Sequence, residues 1–480
     1  MRKTTSALTA IILLLSFNLA QSNQTDYEII SENWMNILFE GQKIGFQSQK
    51  IESTSAGYMV TSRSVITLDL NDEPQNMSTS NIIYLNHEKH LVSFISSQTM
   101  QNQRQRVIGR ILKNKLTLLV EGSGDTFKKT VQIPSGVHFG ETVSFSLADE
   151  LIVGKSFTIP IYLSTLRIIE ELAVRILEKT IKKNFGESYE VFVVETTIHG
   201  IKTIKYITAD GMELFEDGPL GFSAIKTTEE NALKLAKLHV PIQSLIAFSL
   251  VKPDKPLNDP ISISELQLAI TGIDGYDDIP SDYRQTLIAA SSTPEKSAPV
   301  VLRRFKPSVA SYQLGTAVKV DKESLAATPE IQSQNGTIKK LAADIIEGET
   351  DAWSAAKKIN RWVYSNIEKK LVDSFSALDV LKSRKGECQS HTNLFAALAR
   401  SAGIPTQVSV GLVYSPQHKG FLYHSWPSVY IGEWVAMDPT LGQDVADATH
   451  IKLASGEPGN QLNLLRLIGK ISISIQSIIR

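Results

Sequence analysis

The chain has 480 residues, 42% of them apolar and 21% charged, which is more than one ordinary core holds. It predicts two or three folded domains and excludes both a disordered chain and a membrane transporter. Forty-nine basic and fifty acidic side chains leave a net charge of −1, so no global field recruits nucleic acid or acidic lipid, and the single cysteine, Cys388, excludes an intramolecular disulfide.

The first residues place Arg2 and Lys3 ahead of an apolar run from Ala7 to Leu15, which ends in Phe17-Asn18-Leu19-Ala20-Gln21-Ser22. This pattern predicts a signal peptide over residues 1–22, cut after Ala20 or Ser22, because the run is nearer signal-peptide length than the length of a membrane anchor. Its removal takes away two basic side chains and moves the net charge from −1 to −3. The mature chain is then expected to be exported, periplasmic or extracellular, with no transmembrane segment. No cysteine follows the run, which disfavours a lipid anchor. In an oxidising compartment a lone thiol is either a buried, inert core group or a group with a chemical task.

From Trp34 to about Leu233, short alternating apolar runs are broken by Gly, Asn and Asp. Leu116, Leu118 and Val120 share one side of a strand, as do Tyr189, Val191 and Val193, and Glu40-Gly41 and Asp210-Gly211 read as hairpin turns. Residues 23–250 are therefore expected to form an antiparallel β-rich domain. The stretch Leu166 to Ile181 fits a helix through Leu166, Ile169, Ala173 and Ile176, and fits a strand through Leu172, Val174 and Ile176. Between 251 and 327 Pro, Ser and Asp become dense, which predicts a linker and a small β-rich domain. Residues 328–460 then change character. Ile338, Leu341, Ala342 and Ile345, followed by Ala355, Ile359, Trp362 and Val363, have helical spacing, and four of the five tryptophans lie beyond residue 350. A C-terminal tail, 461–480, reads as a strand or short helix. Sequons at Asn23, Asn76 and Asn335 matter only in a host that glycosylates.

Lys385-Gly386-Glu387-Cys388 precedes a helix predicted over Gln389–Ala402, with Leu394, Phe395 and Leu398 on its buried side and Gly403 as its stop. Cys388 thus stands at or just before a helix N-terminus, where unpaired N–H groups favour a thiolate and predict a lowered pKa. Acyl transfer by a thiolate also needs a base and a group that orients the base. His424 lies in a strand between aromatics, Phe421-Leu422-Tyr423-His424-Ser425-Trp426. Ile431-Gly432-Glu433 turns the chain, and Trp434-Val435-Ala436-Met437 returns it to Asp438-Pro439-Thr440, so a tight hairpin can set Asp438 beside His424.

Gly386-Glu387-Cys388, Ala399-Arg400-Ser401-Ala402-Gly403-Ile404-Pro405, His424-Ser425-Trp426 and Trp434-Val435-Ala436-Met437-Asp438-Pro439-Thr440 together resemble the transglutaminase-like superfamily, over roughly residues 335–455. The downstream Leu441-Gly442-Gln443 and Asp447-Ala448-Thr449-His450-Ile451 resemble its bacterial exported members. The resemblance implies an α+β fold: a papain-like core with a central helix on an antiparallel sheet, preceded here by antiparallel β-rich domains. It implies Cys388 as nucleophile, His424 as general base and acid, and Asp438 as the orienting carboxylate. Relatives often carry an acidic residue four positions after the histidine, where this chain has Ser428, and Pro427 suggests an edge or bulge in the strand. The backbone N–H of Cys388 is one oxyanion donor, and the second is unassigned.

The function expected is amide acyl transfer through a thioester, hydrolytic, on protein or peptide substrates. Two alternatives stand beside it: a cross-linking transglutaminase, and a catalytically silent envelope protein whose β-rich domain binds a protein, glycan or lipid. No cofactor is expected. A metal site using His391 with His424 and Asp438 is disfavoured, as is calcium, because the chain has no clustered acidic loop. His391 and His450 read as structural or groove-lining, and Trp426 and Trp434 as packing residues.

Overall fold

The computed structural model describes residues 28–70, 73–234, 249–273, 279–288, 297–308, 310–316, 318–370, 374–456 and 464–480. The predicted signal peptide and Asn23 lie outside these residues. The chain is mostly sheet with some helices.

The N-terminal region is one fifteen-stranded sheet, antiparallel throughout except at one short pair. Glu28–Phe39 lies at its centre. The chain winds outward through seven hairpin-connected strands to Asp125–Gln132, crosses to the opposite end at His138–Phe139, and winds back to Phe222–Thr227, which pairs with Glu28–Phe39. A twisted sheet this wide has to curl. Its far end folds over its near half: Phe94 packs on Tyr162 with ring centroids 4.7 Å apart, and on Phe139 at 5.1 Å. The turn at Glu40-Gly41 has φ of 49° and 76°, the left-handed pair that a two-residue hairpin requires.

The ambiguous stretch is a strand, Ile168–Asn184. Leu172, Val174 and Ile176 enter a core with Phe192, Val194 and Ile207, while Glu171 and Arg175 stay outside that core. Ladders on both flanks satisfy its backbone groups, and a bulge between Ile176 and Glu178 resets its register.

The C-terminal half is built in three layers. Strands β1 (Glu265–Thr271), β2 (Gln285–Leu287) and β3 (Ser297–Arg303) form a sheet that the last strand of the chain, Ser472–Ile479, completes by pairing with β1. Of the strand or short helix expected near the C-terminus, Ser472–Ile479 is the strand, and it belongs to the small sheet. The second sheet contains β4 (Thr406–Ser415), β5 (Gly420–Tyr430), β6 (Trp434–Ala436) and β7 (Ile451–Ser455), in the order β6-β5-β4-β7. Leu412, Tyr414, Phe421 and Ile451 of this sheet share one core with Leu266, Leu268, Val300 and Ile473 of the small sheet. The residues expected as a linker and small domain are therefore packed against the catalytic candidate region.

The third layer is helical: α1 (Gly336–Ile345), α2 (Ala352–Asn366), α3 (Ala377–Ser383) and α4 (Cys388–Ser401). Each is capped as helix physics demands, by Asn335, Asp351, Ser376 and Glu387, whose side chains accept backbone N–H groups of the first turn. Helix α4 is the hub. Leu394, Phe395 and Leu398 pack with Ile338, Ile359 and Val363 of the flanking helices and with Val429, Val435 and Met437 of the sheet side.

The β-rich region touches this half near α3. Gln103 donates to Ser374 Oγ at 3.3 Å, Ser123 donates to Asp379, and Arg167 pairs with Glu330. A shallow cleft lined by Gln105, Val120, Phe127, Gln332, Phe375 and Asp379 runs along this contact, away from Cys388. Among the described residues, no helix is long and apolar enough to cross a membrane.

Candidate active site

Helix α4 begins at Cys388, and Glu387 is its N-cap: the two carboxylate oxygens accept N–H bonds from Gln389 and Ser390 at 2.9 and 3.0 Å. Gly386 is required by close packing, since a Cβ there would lie 2.3 Å from the Ser390 Cβ. The Cys388 thiol donates to Glu387 Oε2 at 2.9 Å. No hydrogen bond joins the sulfur to His424. The lowered thiol pKa expected from the helix N-terminus is overturned here. Burial, then the Glu387 carboxylate beside it, push the thiol well above its ordinary value, and a backbone N–H bond from Ser425 offsets only part of this. A cap that satisfies the first-turn N–H groups with a carboxylate spends their positive potential on that carboxylate.

Glu387→Gln is expected to speed alkylation of Cys388 by iodoacetamide at pH 7 several-fold, because it removes the negative charge nearest the sulfur. A weaker cap costs the helix about 0.5–1 kcal/mol. An unchanged or slower rate would show that the carboxylate is not what holds the proton on sulfur.

Ser425 places the sulfur against β5, next to His424. His424 uses Nε2 on Asp438 Oδ2 at 2.8 Å, and its side chain is 7% exposed. Nδ1 is the nitrogen left for the thiol. The imidazole stacks on Trp426, with ring centroids 6.1 Å apart and planes 19° from parallel. Trp426 is buried among Ala436 and Ala446, so it is packing that orients the histidine. Strand β5 runs through Pro427 with no register shift against β4, so there is no bulge on that side. The β5–β6 ladder reaches only Ser428–Ala436, and Pro427 accepts a bond from the Met437 N–H through its carbonyl. The missing proline N–H therefore faces the place where the chain leaves the ladder for Asp438, and no ladder bond is lost.

Asp438 is fully buried. Its Oδ1 accepts the Thr440 and Leu441 N–H groups at 2.7 and 2.9 Å, and the chain is bent back by paired backbone bonds between Asp438 and Gln443. Oδ2 accepts a second imidazole as well, His450 Nε2 at 3.0 Å. The other nitrogen of His450, Nδ1, lies 3.2 Å from Asp447 Oδ1. Burial alone would raise the Asp438 pKa, but the two imidazoles hold it well below the carboxylate range. Burial alone would lower that of His450, but Asp447 and Asp438 push it up to about 9. The sequence marks Asp447-Ala448-Thr449-His450-Ile451 by resemblance and reads His450 as structural or groove-lining; the structure places both Asp447 and His450 behind Asp438.

His391, one turn into α4, turns both ring nitrogens to carbonyl oxygens, Glu387 at 2.9 Å and Ile367 at 3.3 Å. It ties α4 to the end of α2 and takes no part in the site. His424, Asp438 and His450 have donor atoms within 4.8 Å of one another, close enough to consider a metal ion. The bonding argues against it: both nitrogens of His450 are engaged with carboxylates, so no lone pair is free to ligate.

The pH dependence of stability follows from these shifts. The folded pKa of His450 is raised from 6.5 to about 9, so its contribution is complete below pH 6.5 and lost as pH rises through 9. That contribution is about 3 kcal/mol in order of magnitude. Asp438 is depressed, so its contribution is present above its unfolded pKa of about 4 and lost below it. Urea unfolding of the wild type at pH 6.5 and 9.5 should show the alkaline loss, and His450→Gln should flatten it; equal stabilities in the wild type would refute the shift.

Residues 339–439 match the family model of the transglutaminase-like superfamily. The kyphoscoliosis peptidase of Mus musculus is 26% identical over 176 residues, which are 33% of this chain and 23% of that protein. An uncharacterized protein of Haemophilus influenzae is 32% identical over 99 residues, 19% of this chain and 26% of that one. The chain thus spans about a quarter of the length of the curated relatives it matches. Among solved structures, a candidate cysteine protease from Cytophaga hutchinsonii aligns over 45% of this chain and 86% of its own, at 19% identity and a TM-score of 0.29.

Proposed function

We propose, from the premise that residues 339–439 form a transglutaminase-like domain, that the chain is an exported thiol enzyme that hydrolyses amide bonds of proteins or peptides. Cys388 is the nucleophile, His424 the base and acid, and Asp438 the group that orients His424. The observation that carries this is the His424–Asp438 bond, at 2.8 Å, beside a thiol at the start of α4.

The thiol first exchanges its bond to Glu387 for one to His424 Nδ1 and gives up its proton there. Sulfur attacks the amide carbonyl, a C–S bond forms, the C–N bond breaks, and His424 returns the proton to the leaving amine. Water, deprotonated by His424, then attacks the thioester; the C–S bond breaks and the thiol is restored. Hydrolysis is favoured over cross-linking because water is always at hand, and the name of the mouse relative, a peptidase, agrees. Export rests on the N-terminal leader pattern.

The bond from the thiol to Glu387 favours one other reading, a silent core whose β-rich region does the binding. A single experiment separates them. Peptide mixtures are incubated with wild type and Cys388→Ala in the presence of a labelled primary amine, and the products are analysed by mass spectrometry. Cysteine-dependent cleavage supports hydrolysis, cysteine-dependent amine incorporation supports cross-linking, and identical products from both proteins refute the enzyme.

A further inference from the structure

Each ring nitrogen of His450 faces a carboxylate oxygen, Nε2 on Asp438 and Nδ1 on Asp447, and an ionised carboxylate only accepts. Both nitrogens therefore carry protons, and the ring is a buried cation. Asp447 is built to keep it so. Its Oδ1 also accepts the Thr449 N–H at 2.8 Å and hydroxyl at 2.6 Å, its Oδ2 accepts Gln443 Nε2 at 2.8 Å, and Arg284, itself buried, donates to the carbonyl of Asp447. The plane of the ring is set by the edge of Trp426, with centroids 5.1 Å apart.

We infer that His450 is a positioning residue for the reaction, a fixed imidazolium held by Asp447 that keeps Asp438 ionised and in one orientation behind His424. This rests on the proposed role of Cys388 and His424. Four donors surround Asp438, two on each oxygen, so its carboxylate cannot rotate away from His424. The groups facing His450 are Asp438, Asp447 and the His424 ring, 5.9 Å away, with Arg284 behind Asp447. Two carboxylates against two cations leave the surroundings neutral. The negative charge of Asp438 is then shared between two imidazoles, which limits what Asp438 adds to the effect of Glu387 on the thiol. Loss of the His450 charge leaves one negative charge in excess, which raises the proton affinity of both His424 and the thiol.

The test is the pH dependence of Cys388 alkylation by iodoacetamide in the full chain, which needs no substrate. His450→Gln should move the rising limb upward by about one pH unit. Asp447→Asn removes an anion along with the partner that keeps His450 charged, so it should move the limb less than His450→Gln does, and the double variant should go no further than His450→Gln. A rate lowered equally at every pH, with the limb unmoved, means a packing role and overturns the inference while leaving the nucleophile intact. If the wild-type thiol reacts only after denaturation, the acyl-transfer reading fails and takes the inference with it. Nitrogen-15 NMR of the wild-type imidazoles covers variants that do not fold: His450 should stay doubly protonated through pH 8, and a neutral ring below pH 7 overturns the inference outright.

Discussion

Asp438→Asn should reduce turnover by about a thousandfold or more, the scale seen when a catalytic histidine loses its orienting carboxylate. The same change should destabilise the fold by about 3–5 kcal/mol, because it leaves buried charge without its partner. Both effects have one source. Asp438 is fully buried and its Oδ2 joins His424 at 2.8 Å and His450 at 3.0 Å. An asparagine can keep the bonds from Thr440 and Leu441 on its oxygen, but its amide nitrogen then points N–H groups at two ring nitrogens that donate. His424 must change tautomer, and the His450 cation loses one of its two counter-charges. Steady-state hydrolysis and urea unfolding measure the two losses separately. A variant that unfolds normally yet is inactive would put the cost in orientation alone; one with near wild-type turnover would remove Asp438 from the mechanism.

Phe395→Ala should cost about 3–5 kcal/mol, the usual penalty for emptying an aromatic site that cannot collapse. Phe395 has no exposed surface and lies on the hub helix among the core residues of the flanking helices and the sheet side. Because α4 also carries Cys388 at its first residue, loosening this core should relieve the burial of the thiol and speed its alkylation. Denaturant unfolding and alkylation rate together test the coupling. A loss under about 1 kcal/mol, the scale of a volume-conserving swap, would mean that the helix layer relaxes into the space.

Much of the site was legible from local pattern. Gly386-Glu387-Cys388 followed by an amphipathic run marks a helix start, and the return of the chain through Gly432 marks a hairpin; both are short-range signals. The structure brings His424 and Asp438 into contact as that hairpin implies, although Asp438 stands beyond the ladder and reaches His424 from the following turn. The charge state of the thiol was not legible. A helix N-terminus favours thiolate in isolation, but here the cap itself is an anion, and burial adds to its effect. His450 escaped for a similar reason: nothing in Asp447-Ala448-Thr449-His450 says that the turn folds back onto Asp438.

Local signals along the chain are enough for the alternating strands of the first half, helices α1, α2 and α4, and the lone cysteine at a helix start. Tertiary structure decided what depends on partners distant along the chain. Ile168–Asn184 is a strand because ladders on both flanks claim its backbone, and Ser472–Ile479 joins a sheet begun some two hundred residues earlier because β1 offers an open edge. The protonation of Cys388 and His450 belongs to the same class. A pKa reports the burial and charge around a group: Glu387 and Asp447 are near in sequence, but the burial of both groups and the approach of Asp438 to His450 come from the whole fold.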